Sequence, residues 1–219
     1  MPAVQLAVAI TAGDVALDGA LVVPDGARGI VLFAHGSGSS RKSPRNTFVA
    51  RALRAAGLGT LLFDLLTPGE DTDYQRRFEI ELLSRRLAAG MRFVRDDPRT
   101  RDLAVGLFGA STGAAAALQV AARFPAHVVA VVSRGGRPDL AGPAALRRVE
   151  APTLLVVGGH DYGVIELNEA ALAELRCEKE LAVVPGATHL FEEPGTLEEV
   201  ARLAAAWFVR HLAPAAARK

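Results

Sequence analysis

The sequence predicts an α/β fold, a mostly parallel sheet of about eight strands with helices on both faces. Short runs that are apolar throughout alternate along the chain with longer amphipathic segments. A strand that is apolar on both faces is buried on both faces, which is typical of parallel strands covered by helices. The first two apolar stretches differ, because only Gly13-Asp14 separates them, and this spacing predicts an antiparallel pair at one edge of the sheet.

The predicted elements follow one another in a regular order. Strands are predicted at residues 4–10, 15–23, 30–34, 61–66, 103–108, 128–132, 153–157 and 181–184. Helices are predicted at residues 44–56, 74–95, 112–124, 167–175 and 196–212. From residue 30 onward strand and helix alternate, as right-handed crossovers between parallel strands require.

We expect a single domain over residues 1–219, with residues 214–219 as a frayed tail. A chain of 219 residues is long enough to bury a sizeable core without a disulfide or a metal. The connection between residues 132 and 153 is too short to hold a large helical cap as well as a crossover. The sequence therefore predicts a fold without a large cap domain.

Composition narrows the class of protein. A net charge of +1 excludes the strong positive field of a nucleic-acid binder, so we expect a small-molecule partner and no nucleic acid. Cys177 is the single cysteine, which excludes an intramolecular disulfide and a cysteine cluster for zinc. No secretory leader or membrane-spanning run is recognisable, so we expect a cytoplasmic protein that does not bind membranes. The oligomeric state has no signal in the sequence.

The most specific motif is Gly-Ala-Ser-Thr-Gly at residues 109–113, where an apolar strand ends and an alanine-rich helix begins. A strand that turns sharply into a helix strains its central residue and leaves no room for side chains two residues before and after it. This geometry predicts that the hydroxyl of Ser111 is exposed as a nucleophile. The alternative is a plain strand-to-helix turn with an incidental serine.

A serine nucleophile needs a base, and His189 is the best of the 5 histidines. It follows the last predicted strand, where a loop reaches the carboxyl edge of the sheet, the usual position of sites in such folds. His127 precedes a predicted strand and so lies at the opposite, amino edge of the sheet, and His211 lies at the end of the last helix. His35 and His160 follow strands, but we interpret His35 as a residue that braces its loop and His160 as a neighbour of the site.

A carboxylate should orient the imidazole, and Asp161 is the candidate. It follows the strand at residues 153–157, which gives the chain order serine, aspartate, histidine. An aspartate in a glycine-rich loop can instead cap a helix or close a turn. Asp139 and Glu166 are the lower-ranked alternatives for the same role.

Acyl transfer also requires donors for an oxyanion. The backbone N–H of Thr112 is one candidate, and the N–H of Ser37, in the loop at residues 35–40, is the other. This glycine-rich loop lacks the lysine and the spacing of a phosphate-binding loop. A metal centre on the same edge is a further alternative, but no two histidines have helical i, i+4 spacing, and we expect no metal site.

Four motifs together resemble the α/β-hydrolase superfamily over residues 20–212: Phe-Ala-His-Gly at 33–36, the pentapeptide at 109–113, Gly-Gly-His-Asp at 158–161 and Ala-Thr-His at 187–189. Size and lack of a cap make the chain most similar to the dienelactone hydrolase-like branch. The resemblance implies hydrolysis of a carboxylic ester or lactone through an acyl-enzyme, without a cofactor. One departure is that dienelactone hydrolases typically carry a cysteine nucleophile, whereas this chain has Ser111.

Three residues are candidates for substrate binding. Arg134 and Arg137 follow a predicted strand near the nucleophile, and a guanidinium matches an anionic group on a substrate. The alternative for both is exposure to solvent or pairing with Asp139. Glu70 lies in a loop at the same edge, where it either lines the pocket or serves as a turn acid.

The sequence leaves more than one function open. A carboxylesterase or lactonase is the leading hypothesis. An acyltransferase or thioesterase uses the same catalytic triad, Ser111, His189 and Asp161, with a different acceptor. A non-catalytic α/β-hydrolase fold used for binding is a third possibility, although it predicts a broken triad and this triad is intact in the sequence.

Overall fold

The structure, a computed structural model, describes residues 4–212. The predicted frayed tail lies outside these described residues. Eight strands form one sheet in this part of the chain: β1 (Val4–Ala12), β2 (Val15–Val23), β3 (Ile30–Ala34), β4 (Gly59–Phe63), β5 (Val105–Ala110), β6 (Val128–Arg134), β7 (Thr153–Gly158) and β8 (Lys179–Val184). The predicted mostly parallel sheet is therefore confirmed.

The strand order is β1-β2-β4-β3-β5-β6-β7-β8. β2 pairs antiparallel with β1 and β4, and the remaining neighbours are parallel, so the predicted antiparallel pair stands at one edge. The chain moves outward from β3 to β4 and then returns to place β5 on the other side of β3. Loops diverge where the order reverses in this way, and they open a crevice at the carboxyl ends of β3 and β5.

Helices cover both faces of the sheet. They are α1 (Pro44–Ala55), α2 (Ile80–Asp96), α3 (Thr112–Arg123), the short α4 (Pro143–Leu146), α5 (Tyr162–Glu174) and α6 (Thr196–Leu212). Leu87 of α2 and Leu118 of α3 belong to the core on one face, and Leu53 of α1 and Phe208 of α6 belong to the core on the other. The segment between β6 and β7 holds a short 3-10 turn and α4, and no large cap.

Some predicted element boundaries were wrong. The helix predicted at residues 74–95 is a 3-10 turn, Gln75–Phe78, followed by α2, because Glu79 between them leaves the helical conformation at φ −74° and ψ 80°. The helix predicted at 167–175 begins at Tyr162, directly after Asp161. The strand predicted at 61–66 spans Gly59–Phe63; Asp64 N–H still donates to Asp18 O of β2, and the chain then bends at residues 65–66.

Within the described residues, none of the helices combines the length and the apolar character needed to cross a membrane.

Candidate active site

Ser111 is the single residue between the end of β5 and the start of α3. Its backbone has φ 50° and ψ −123°, a conformation that non-glycine residues rarely adopt. Such a conformation costs about 1–3 kcal/mol and persists only where the surrounding structure enforces it. The nucleophile predicted from the sequence therefore sits at a strained strand-to-helix turn.

The surrounding backbone explains the two flanking glycines. A Cβ at Gly113 would lie 2.6 Å from His35 O and would overlap the carbonyl of Ala34. A Cβ at Gly109 would lie 2.6 Å from Gly113 O. The register pairs Ala34 with Gly109, so the loop after β3 runs beside the strained serine. Side chains at either glycine would push β3, β5 and α3 apart.

His189 and Asp161 form a close pair. His189 Nδ1 lies 2.7 Å from Asp161 Oδ2, with the Asp161 side chain 15% exposed and that of His189 38% exposed. Asp161 is the N-cap residue of α5, yet its side chain makes no capping hydrogen bond, so the carboxylate serves the imidazole instead. A hydrogen bond donated by Nδ1 leaves Nε2 as the acceptor.

The alternative carboxylates are placed elsewhere. Asp139 pairs with Arg137, and Glu166 is exposed on α5. Neither is hydrogen-bonded to His189 in the described part of the chain.

Ser111 and His189 line the same cleft, which has a volume of about 210 Å³. Its walls come from the loop after β3, the elbow, the end of β6 and the histidine loop. We define the elbow as residues 109–113, the strand-to-helix turn around Ser111, and the histidine loop as residues 187–193. The lining residues are Gly36, Ser37, Ser39, Arg45, Ala110, Ser111, Arg134, Gly135, His189 and Leu190. The cleft is large enough for a small ester.

The loop after β3 is braced by His35. Its Nε2 accepts a hydrogen bond from Leu65 N–H at 2.9 Å, and its Nδ1 donates to Gly36 O at 3.0 Å. Burial lowers the pKa of His35, which keeps the ring neutral in this bridging role. Ser37 lines the cleft, and Thr112 is the first residue of α3, whose initial N–H groups lack partners within the helix.

Arg134 is a charged residue that lines the cleft and is nevertheless buried. It ends β6, is 7% exposed, and its Nε has no hydrogen-bond partner in the described residues. Its guanidinium lies 5.9 Å from the centroid of the Phe191 ring. Burial, together with the charge of Arg45, lowers its pKa to about 10, and no carboxylate within residues 4–212 offsets this. An anion that enters the cleft would supply the missing charge.

The other two predicted substrate contacts lie outside the cleft lining. Arg137 donates to both carboxylate oxygens of Asp139, at 2.9 and 2.7 Å, as the alternative interpretation held. Glu70 accepts hydrogen bonds from Thr67 N–H at 2.8 Å and from Arg86 at 2.7 Å. These bonds make Glu70 a turn acid that neutralises the buried Arg86.

Sequence reasoning missed Arg45, which comes from α1 and lines the cleft. Its guanidinium pairs with the exposed Glu192 at 3.1 Å, while its Nε is buried without a hydrogen-bond partner in the described residues. Nothing local in the sequence distinguishes Arg45 from the other arginines of amphipathic helices, so no signal identified it.

The described residues contain no group of three or more histidine, cysteine, aspartate or glutamate side chains arranged to hold a metal ion. His35 and His189 instead have the hydrogen bonds given above.

The fold and the elbow define an α/β hydrolase. The chain matches the family model of the Dienelactone hydrolase family over residues 17–211, and it belongs to that family. It is 55% identical to a dienelactone hydrolase from Anabaena variabilis, whose crystal structure superimposes with a TM-score of 0.92 over 95% of this chain and 98% of that one. Family membership and this structural relative support hydrolase activity.

Two more comparisons place the chain. A lidless α/β serine hydrolase from Xanthomonas campestris has the same fold, with a TM-score of 0.78 at 21% identity over 98% of each chain. A Mycobacterium tuberculosis protein, provisionally named a phosphoribosyl transferase, is 58% identical over 205 residues, which is 94% of this chain and 46% of that protein. The chain thus spans about half the length of the curated relatives it matches.

Proposed function

We propose that this chain is a serine hydrolase that cleaves a carboxylic ester or lactone of a small molecule through an acyl-enzyme on Ser111. One observation carries the proposal: a serine in a strained strand-to-helix turn shares a cleft with a histidine whose Nδ1 is 2.7 Å from a carboxylate oxygen. This combination supports nucleophilic catalysis, because the strained turn presents the hydroxyl and the paired imidazole can accept its proton.

In the acylation step, Ser111 Oγ attacks the carbonyl carbon while His189 Nε2 takes the hydroxyl proton. Asp161 accepts the hydrogen bond from Nδ1 and stabilises the imidazolium that forms. The N–H groups of Ser37 and Thr112 donate to the oxyanion of the tetrahedral intermediate. His189 then gives its proton to the leaving alkoxide, which departs as an alcohol or, for a lactone, remains as the far end of the acyl group.

In the deacylation step, a water molecule attacks the acyl carbonyl while His189 Nε2 takes one of its protons. The second tetrahedral intermediate collapses with release of Ser111 Oγ, which recovers the proton from His189. The products are a carboxylic acid and the free enzyme, so the cycle is balanced without a cofactor.

We further propose that the preferred substrate carries an anionic group bound by Arg134. A buried guanidinium without a carboxylate partner is costly, and an anionic ligand that enters the cleft would relieve that cost. Arg45 lines the same cleft and lowers the pKa of Arg134, while its own guanidinium pairs with Glu192 at the exposed rim. Arg137 and Glu70 have no part in this proposal, because both are engaged in internal ion pairs.

Steady-state hydrolysis of p-nitrophenyl butyrate and of a simple aromatic lactone tests the main proposal. Ser111→Ala should lower kcat by at least about 1,000-fold, since loss of the nucleophile leaves only binding and oxyanion stabilisation. Ser39→Ala is the matched control, because Ser39 lines the same cleft and has no proposed chemical role. Equal activity of wild type and Ser111→Ala would contradict the proposal.

Arg134→Gln and Arg137→Gln, assayed on monomethyl succinate and on methyl butyrate, test the anion proposal. We expect Arg134→Gln to raise KM for the anionic ester about tenfold or more and to leave the neutral ester nearly unchanged, because only the former loses a charge-assisted contact. Arg137→Gln should affect neither ester. Equal losses on both esters in Arg134→Gln would refute a role in anion recognition.

The triad also suits transfer of the acyl group to an acceptor other than water, as in an acyltransferase, or hydrolysis of a thiol ester, as in a thioesterase. Product analysis with and without added alcohol or thiol acceptors identifies a transferase, and comparison of a thiol ester with its oxygen ester identifies a thioesterase. A transferase forms an acceptor-dependent product, whereas the hydrolase that we propose forms the free acid alone.

The name of the longer curated relatives suggests phosphoribosyl transfer as a second candidate activity. That name describes proteins of which this chain matches 46%, so it gives weak support for the activity in this chain. The cationic cleft could hold a phosphate, but Ser111 and the histidine pair have no role in such a transfer. Release of diphosphate from phosphoribosyl diphosphate, unaffected by Ser111→Ala, would favour the second candidate.

A further inference from the structure

Asn168 is a buried polar residue that the proposed chemistry leaves unexplained. It lies in the middle of α5, has no exposed surface, and shares the buried side of this helix with Ala171. A buried amide is destabilising unless its polar atoms are paired, and Asn168 Oδ1 has no hydrogen-bond partner in the described residues, so the bonds of Nδ2 must explain why the residue is there. A leucine would suit a helix that only needed to pack.

The Asn168 amide group bonds two carbonyl oxygens. Nδ2 donates to Val164 O at 2.7 Å and to Gly136 O at 3.1 Å. Because both partners are acceptors, the NH₂ end of the amide must face them, and both of its N–H groups are used. The first bond stays within α5, whereas the second leaves the helix and ties it to the loop that follows β6.

That loop holds the backbone of Ser111. We define the clamp loop as residues 134–137. Ser111 N–H donates to Arg134 O at 3.4 Å, and Arg137 N–H donates to Ser111 O at 3.1 Å. Both backbone polar groups of the strained serine are therefore bonded to the clamp loop. The loop also lies close to α3, because a Cβ at Gly136 would be 2.6 Å from the Ala114 Cβ.

We propose that Asn168 is a positioning residue for the nucleophile. Its bond to Gly136 O fixes the clamp loop, and the clamp loop holds Ser111 in the conformation that aims its hydroxyl into the cleft. Because α5 starts directly after Asp161, the same bond fixes the carboxylate relative to the serine. This inference rests on the proposed role of Ser111, and it predicts an effect on the chemical step rather than on substrate binding.

Asn168→Ser tests the proposal. A serine hydroxyl can still bond the carbonyl four residues earlier in the helix, Val164 O, but it is too short to reach Gly136 O. Ala171→Gly is the matched control, because it weakens the same helix at its other buried position and breaks no bond to the clamp loop. Thermal melts followed by circular dichroism identify a temperature at which both variants are fully folded.

At that temperature, Asn168→Ser should lower kcat and the rate of fluorophosphonate labelling about 10- to 100-fold, since misplacement by about 1 Å is enough for such a loss. KM for a neutral ester, which makes no use of Arg134, should change by less than about threefold, because no side chain of the cleft lining is replaced. Ala171→Gly should stay within about threefold of wild type in every rate. Rates of Asn168→Ser that match those of Ala171→Gly would overturn the proposal.

Hydrogen exchange of the Arg137 backbone amide gives a readout that does not depend on catalysis. We expect faster exchange of this amide in Asn168→Ser and no change in Ala171→Gly, since only the former releases the clamp loop. Unchanged exchange of the Arg137 amide in Asn168→Ser would overturn the proposal that Asn168 holds the clamp loop. If the wild type neither hydrolyses esters nor reacts with a fluorophosphonate, the proposed function fails, and the exchange measurement still decides whether Asn168 holds the loop.

Discussion

The elbow at Ser111 and the histidine loop face each other across one cleft, but they are held in place in different ways. The elbow is fixed by backbone packing, since added Cβ atoms at its two glycines would meet the backbone at 2.6 Å or less. The histidine loop is more exposed, and side-chain hydrogen bonds add to the backbone contacts that hold it, such as the bond from His160 N–H to Ala187 O at 2.9 Å. Glu193 accepts hydrogen bonds from Thr188 N–H at 3.1 Å and from Thr188 Oγ1 at 2.6 Å.

Phe191 also holds the histidine loop in place. Its ring is buried, 1% exposed, although its backbone has a positive φ of 56°. Burial of the ring opposes the strain of that conformation and anchors the loop beside His189. We infer that substitutions in the elbow cause steric overlap and have large effects. Substitutions in the histidine loop remove individual hydrogen bonds and have smaller, graded effects.

The largest effect is expected from Gly113→Ala. The new methyl group would overlap the carbonyl of Ala34, and both atoms belong to rigid backbone, so we expect a loss of about 3 kcal/mol or more in the free energy of unfolding. Urea denaturation measures it. Gly163→Ala is the control, because a Cβ there meets nothing within 4 Å. A Gly113→Ala protein as stable as the Gly163→Ala protein would show that sterics do not fix the elbow.

Asp161→Asn should have the next largest effect, on activity alone. An amide at this position supports the wrong imidazole tautomer, and we expect kcat to fall about 10,000-fold with little change in stability. Asp139→Asn is the control, because Asp139 pairs with Arg137 and should cost less than about threefold in kcat. Loss of activity in Asp139→Asn rather than in Asp161→Asn would reverse the assignment of the orienting carboxylate.

His35 makes stability depend on pH. Burial lowers its pKa in the folded protein below the ordinary value of 6.5, so the unfolded chain binds a proton first as the pH falls. The stabilising contribution of neutral His35 is therefore fully present above pH 6.5 and is lost as the pH falls below that value. Denaturation curves at a series of pH values should show this loss in wild type and a flatter profile in His35→Gln.

The pH range in which His35 affects stability is distinct from that of the carboxyl groups. Hydrogen bonds to Arg99 lower the pKa of Asp97 below 3.8, and contacts with Thr67 and Arg86 lower that of Glu70 below 4.5 despite burial. Their contributions are lost only at more acid pH. A wild-type profile that is flat between pH 6.5 and the acid region would contradict the neutral, buried His35.

The smallest effect is expected from Thr188→Val. This change removes the hydroxyl bond to Glu193 and keeps the backbone bond, so the histidine loop should loosen without unfolding. We expect kcat to fall about threefold, because an exposed contact to a carboxylate contributes little. Thr72→Val is the control, since it removes another exposed hydroxyl bond, to Gly69 O. Equal kcat values for the two variants would show that Thr188 does not help to position His189.

The same contrast explains what the sequence predicted. The elbow was predictable because its glycines and serine are adjacent in the chain and its sterics are local. His189 and Asp161 were predictable in position because both follow strands of a parallel sheet, whose carboxyl ends meet at one edge. The parallel part of the sheet was predictable because continuous apolar runs indicate burial on both faces, and the antiparallel edge because only Gly13-Asp14 separates β1 from β2; both predictions are confirmed.

Arg45 and Asn168 were not predictable, because Arg45 reaches the cleft and Asn168 reaches the clamp loop only through the packing of α1 and α5 on the sheet. The start of α2 was missed because an amphipathic pattern continues through the 3-10 turn at Gln75–Phe78. For Arg134 the sequence could not distinguish an unpaired guanidinium from a solvated one. Burial without a carboxylate partner in the described residues, visible only in three dimensions, separates Arg134 from Arg137.

The most direct test of the account is incubation of wild type and Ser111→Ala with a fluorophosphonate, followed by peptide mass mapping. We predict covalent labelling of the wild type confined to Ser111, and none in Ser111→Ala, because only an activated hydroxyl displaces fluoride from phosphorus. A folded wild-type protein that stays unlabelled, or a label on another residue that persists in Ser111→Ala, would contradict a serine hydrolase built on this elbow.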